Sequence, residues 1–206
     1  MKTTILLTSA LLAPLCSAPP CWAQPADSRP PEQVVKTTID QVMAAVHADP
    51  GAGSGDPDAT YRIVQQRFLP ATDFLLTTQY AVGKAWAEAT PAQREAVFRQ
   101  FQTLLARTYA LQLTQIQGQD TRFKYAPPRL AADALDAVVK TTVQTGGDTM
   151  AIDYRMRKTG AGWKIYDINM MGAWMIQVYR KQFASRLAAG GMDGLVKYLA
   201  AHNEMP

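Results

Sequence analysis

Leu135-Asp-Ala-Val-Val-Lys-Thr-Thr-Val143, followed beyond Gly146-Gly147 by Met150-Ala-Ile-Asp-Tyr-Arg-Met156, decides the fold. In the first segment Leu135, Ala137, Val139, Thr141 and Val143 alternate with more polar neighbours. In the second, Met150, Ile152, Tyr154 and Met156 point one way, while Asp153, Arg155 and Arg157 point the other. A period of two with one dry and one wet face is that of antiparallel strands. Gly146-Gly147 and Thr159-Gly160-Ala161-Gly162 supply the turns of a meander, and Trp163 to Ile168 makes its next strand. A weaker strand is expected over Arg122 to Ala126.

On both sides of the meander the period becomes helical. Val34, Val35, Thr38, Ile39, Val42, Met43 and Val46 form one stripe on a helix from Glu32 to about Ala48. The following Asp49-Pro-Gly-Ala-Gly-Ser-Gly-Asp-Pro57 reads as a loop. Its glycines are no phosphate loop, since they follow a helix and lack the Lys-Ser/Thr pair. Two short helices are expected at Ala59 to Leu69 and Thr72 to Ala81, broken by Pro70, with a bend at Gly83. Thr90-Pro91-Ala92-Gln93 is the clearest local signal: a capping threonine, a proline at the first helical position and a glutamine that reaches back. The helix it starts runs to about Gln117, roughly 40 Å, with Val97, Phe98, Phe101, Leu104, Leu105, Tyr109 and Leu113 on one side. A last helix is expected from about Met171 to Ala188, then Gly190-Gly191 as a stop, then Asp193 to about Ala201. Helices, meander and helices again make an α+β domain, with helices packed on one face of a twisted antiparallel sheet.

The amino-terminal segment reads as an export signal. Lys2 supplies the positive start, Ile5 to Leu15 a short apolar run, and Cys21-Trp22-Ala23 small residues at −3 and −1. The run is shorter than the roughly 20 residues a spanning helix needs. Leu15 before Cys16 and Pro20 before Cys21 do not fit a lipoprotein box. The expected division is therefore a cleavable signal over 1–23 and a single domain over 24–206, located in the periplasm. Both cysteines leave with the signal, so the mature chain is held by packing alone. Loss of Lys2 takes the net charge from +4 to +3, a mild excess without the clustered cations of a nucleic-acid surface.

Little in the sequence speaks for catalysis. His47 and His202 have no paired spacing, so neither a metal site nor a cofactor is expected. Ser28, Ser54 and Ser185 are the mature serines, and none sits in a nucleophile elbow. Asp153 and Asp167 lie on strands. With Tyr154 or Tyr166 they would serve a cone-shaped α+β enzyme acting on an apolar small molecule, the principal alternative to a binding protein.

An ordered set of short motifs narrows the choice. Gly83-Lys-Ala-Trp86, Ala89-Thr-Pro-Ala-Gln-Arg-Glu95, Phe98, Phe101, Leu105, Trp163-Lys-Ile-Tyr-Asp-Ile168, Gly172, Tyr179-Arg-Lys-Gln-Phe183 and Gly190-Gly-Met-Asp-Gly-Leu195 run from residue 83 to 195, within a pattern that covers about residues 58 to 200. In order and spacing they resemble the MlaC or toluene-tolerance family of periplasmic phospholipid-binding proteins. The resemblance implies helices and a twisted sheet that part around a deep apolar pocket for acyl chains. It implies transport of phospholipid between an outer-membrane lipoprotein complex and an inner-membrane ABC transporter complex, without turnover. The pocket is then expected to be lined by Phe98, Phe101, Leu105 and Tyr109 from the long helix. Val139, Ile152 and Tyr154 are expected from the sheet, and Trp174, Met175, Ile176 and Tyr179 from the helix that follows. The family pattern has an acidic residue before Gly172 and a small hydroxyl residue two after it; here stand Met171 and Trp174. Both changes make this region more apolar, and a bulky Trp174 in the pocket would favour a rigid polycyclic lipid such as a hopanoid.

Overall fold

The computed structural model describes residues 27–116 and 120–204. The expected signal over 1–23 lies outside the described residues. The chain order is α1 (Pro31–Ala48), α2 (Pro50–Gly53), α3 (Pro57–Ile63), α4 (Phe74–Val82), α5 (Ala85–Glu88), α6 (Pro91–Ile116), β1 (Arg122–Ala126), β2 (Asp136–Thr145), β3 (Asp148–Thr159), β4 (Gly162–Met170), β5 (Ala173–Trp174) and α7 (Met175–Glu204). The α+β architecture read from the sequence is the architecture observed: the five strands form one antiparallel sheet in the order β1-β2-β3-β4-β5, with helices against its inner face.

Local chemistry explains the boundaries. The Asp49 carboxylate accepts hydrogen bonds from Gly51 N and Ala52 N, and Pro50 takes the first helical position. The expected loop after α1 therefore contains the short α2. Thr90 Oγ1 accepts from Gln93 N at 3.2 Å while Gln93 Oε1 accepts from Thr90 N at 3.0 Å, closing the predicted capping box of α6. The helix expected over Ala59 to Leu69 ends earlier. It widens into a π-turn at Val64–Phe68 and then a 3₁₀ turn at Leu69–Ala71, where Pro70 bars a regular continuation. Asp27, from the polar lead-in, donates its backbone N–H to Ala161 O at the β3–β4 turn.

Two further features depart from the expected pattern. The last helix starts at Met175 rather than Met171, because Met171 (φ 49°) and Gly172 (φ 90°) form a two-residue turn that folds β5 back along β4. Between Arg155 and Met156 the β3–β4 register slips, leaving Tyr166 as the extra residue of a bulge. The bulge changes the parity of β4. Trp163 and Ile165 before it, and Ile168 and Met170 after it, all belong to the same inner core. Within α7, Gly190 (φ −151°) and Gly191 (φ 59°) break the helix where the sequence places a stop.

Most of the buried apolar side chains fall into two clusters. The first lies between the inner sheet face and α1, α3, the π-turn and the Ala106–Ala110 stretch of α6. The second joins α4, the Val97–Leu105 stretch of α6, and α7. Leu69, Tyr109 and Met175 pack against both.

Candidate functional site

Inside the first cluster the two layers do not close completely. A cavity with about 50 Å³ of free volume separates them. Ile39 and Val42 of α1, Val64 and Phe68 of the π-turn, and Tyr109, Gln112 and Leu113 of α6 form its roof. Phe123, Ile152, Tyr154, Ile168 and Met170 form its floor. The floor residues come from β1, β3 and β4, whose cross-strand register sets Ile152 beside Met170 and Tyr154 beside Ile168. Val139 stands opposite Tyr154 on β2 and is fully buried in the same core.

The cavity is dry. Burial pushes the Tyr109 and Tyr154 phenols far above the ordinary tyrosine value, so both remain neutral throughout the physiological range. Its volume is far below the roughly 300–1,000 Å³ of sites that enclose small molecules. Larger concavities, about 500 Å³ beside Pro127–Leu130 and about 430 Å³ between Trp86 and Phe98, are open to solvent.

Of the residues predicted to line the pocket, the structure brings Tyr109, Ile152 and Tyr154 to the cavity, with Val139 beside it. Phe101, Leu105 and Tyr179 belong to the second cluster, where ring contacts join Phe101 and Tyr179 to each other and to Phe183. Phe98 packs edge-on to Phe74 at 5.5 Å and lines the surface groove next to Trp86. Met175 bridges the clusters, and Ile176 is buried at the start of α7. Trp174 lies elsewhere: its half-buried ring stacks on the Arg155 guanidinium at 3.8 Å.

Arg155 in turn donates to the Asp167 carboxylate at 3.1 Å. The other Asp167 oxygen accepts from the backbone N–H groups of Ile168 and Ile176, each at 3.0 Å, and so ties the first turn of α7 to β4. Burial raises the Asp167 pKa, with the Ile176 N–H and Arg155 opposing that rise. Its crevice, shared with Phe74 and Tyr109, holds about 10 Å³, too little for a substrate. Asp153 meets the Asn169 amide at 3.4 Å and does not line the cavity. No cluster of three or more histidine, cysteine or acidic side chains that could hold a metal occurs among the described residues.

The sequence pattern of the family described as MlaC protein matches residues 36–201. The chain belongs to the MlaC family. Within the reach of that family, it is 39% identical to a solved phospholipid-binding protein from Ralstonia solanacearum in complex with a phospholipid. That match has a TM-score of 0.79 and covers 85% of this chain and 97% of the other. The intermembrane phospholipid transport system binding protein MlaC of Haemophilus influenzae is 21% identical over 178 residues, 85% of this chain and 83% of the relative. The toluene tolerance protein ttg2D of Pseudomonas putida is 23% identical over 170 residues, 79% and 75% of the two chains. No helix among the described residues is long and apolar enough to cross a membrane.

Sequence reasoning missed most of the cavity wall. Ile39 and Val42 are indistinguishable by pattern from the rest of the α1 stripe, and the bulge hides which β4 residues share a face with Ile152. Gln112 carried a usable signal, an amide one turn from Tyr109 and adjacent to Leu113 on an otherwise apolar stripe.

Proposed function

We propose that this chain binds phospholipid in the seam between its helices and sheet and carries it through the periplasm. Export by residues 1–23 delivers the domain over 24–206 to that compartment. There it exchanges lipid with an outer-membrane lipoprotein complex and an inner-membrane ABC transporter complex. The observation that carries this reading is the apolar interlayer cavity in a chain so close in sequence and fold to a phospholipid-bound protein. Two acyl chains hold about 30 methylenes, and exposing them to water costs on the order of 25 kcal/mol. Crossing an aqueous gap therefore requires a dry enclosure and no reacting group. The tails lie against Tyr109, Ile152 and Tyr154, with Val139 beneath and Met175 at the junction. Phe98, Phe101, Leu105, Ile176 and Tyr179 hold the helix layer that covers them.

Gentle purification from cells, followed by native mass spectrometry and lipid extraction, is expected to give one phospholipid per chain. Repeated recovery of lipid-free protein would sink the carrier reading. A hopanoid as the dominant bound species would replace phospholipid as the cargo.

A further inference from the structure

We infer that the side-chain amide of Gln112 is a polar subsite at the mouth of the cavity that hydrogen-bonds the ester linkage of a diacyl lipid, an inference that rests on the carrier reading above. Gln112 Oε1 is buried and has no hydrogen-bond partner among the described residues. A buried amide oxygen left unpaired is destabilising, and leucine or methionine would fill the same space without that cost. Such a group calls for a partner from outside the protein.

Its position identifies the partner. The cavity has a deep end and a shallow end. Val42, Val64, Ile152, Tyr154 and Ile168 are all buried, whereas Gln112, Leu113, Phe123 and Met170 are half-buried. Gln112 therefore stands where the apolar enclosure gives way to solvent. In a lipid whose tails fill the deep end and whose head group stays wet, the ester carbonyls fall at that level. A half-turn of the terminal side-chain torsion exchanges Oε1 and Nε2 with almost no change of shape. In that orientation the amide N–H donates to an ester carbonyl. An ether-linked lipid of equal length offers no such acceptor. Sites built around a hydrogen bond discriminate against analogues that lack it.

The test uses the full mature chain and its Gln112→Met variant, each stripped of lipid. Both are offered equal amounts of a diester phosphatidylcholine and its diether analogue of the same chain length. Native mass spectrometry reads the bound fraction and thermal melting the stability. The wild type is expected to load diester over diether by about tenfold, the factor given by one desolvated hydrogen bond. The variant is expected to load both alike, with uptake of diether and melting temperature kept or raised. Wild-type selectivity retained in the variant, or no selectivity in the wild type, overturns the subsite and reduces the amide to a holder of ordered water. A parallel arm with a monoacyl phosphatidylcholine tests the Oε1 orientation. If that lipid outcompetes the diester only when Gln112 is present, the partner is a free glycerol hydroxyl and the ester assignment is wrong. Failure of the wild type to take up any of the three lipids removes the carrier reading, and this inference with it.

Discussion

α6 serves two different interiors along its length. From Val97 to Leu105 it faces other helices, and its side chains interlock with rings from α4 and α7. Phe101 lies 5.5 Å from Phe74, 4.9 Å from Tyr179 and 5.0 Å from Phe183, an edge-and-tilt cluster that fills its space. From Ala106 to Leu113 the same helix runs against α3 and the π-turn, with two alanines, a tyrosine and an amide, and the cavity lies between these residues and the strands. The difference separates apolar content from ligand capacity: the more aromatic cluster is the closed one.

Three substitutions test that separation. Phe101→Ala is expected to cost about 3–5 kcal/mol in denaturant unfolding, while lipid bound per folded molecule stays at the wild-type level. Loss of lipid at full stability would show that the closed cluster takes part in binding after all. Asp167→Asn addresses the tie between the clusters. Burial raises the folded-state pKa of Asp167 above its unfolded value, so the folded chain holds that proton more tightly. The resulting stabilisation is complete below the unfolded value of about 3.9 and is lost as pH rises through the higher folded value. Subtracting the variant's stability–pH profile from the wild type's should leave a fall over that window, with a slope of at most about 1.4 kcal/mol per pH unit. A difference that rises with pH would mean that Arg155 and the helix N–H groups outweigh burial. The smallest effect is expected from Trp174→Ser, about 0.5–1 kcal/mol for a cation–π stack at a partly exposed site, with the bound-lipid profile unchanged. A shifted lipid profile would return Trp174 to the pocket lining expected from the sequence.

The sequence was most readable where local chemistry acts alone. The alternation over Ala137–Met156, the Thr90–Gln93 capping box and the Gly190-Gly191 break each depend on neighbours within a few residues, and each is found as read, whereas Leu135, read as the first inward position, lies before β2 and is exposed. The candidate site was readable in part. Tyr109, Ile152 and Tyr154 were accessible from periodicity, because a stripe shows which way a side chain points. It does not show what stands opposite. Whether Phe101 meets a sheet or a ring of other aromatics is settled by the path of α4 and α7, which no single stripe contains. Two departures were purely geometric: the Met171-Gly172 turn that inserts β5 before α7, and the bulge at Tyr166 that carries Ile168 and Met170 to the inner face. Gln112 was not read as a site residue, because the meaning of an amide one turn from Tyr109 depends on a cavity that only the assembled layers create.

The strand order also fixes a sequence of events in folding. Each strand pairs with the one before it, and the β2–β3 and β3–β4 turns span only a few residues. The sheet can therefore close through a series of short loops, at small entropic cost for each. α1 is different: it packs against β4, more than a hundred residues further along the chain. Helix and sheet can join only after most of the polypeptide is in place. Joining α1 to β4 thus closes a far longer loop than any pairing within the meander, at a correspondingly higher entropic cost.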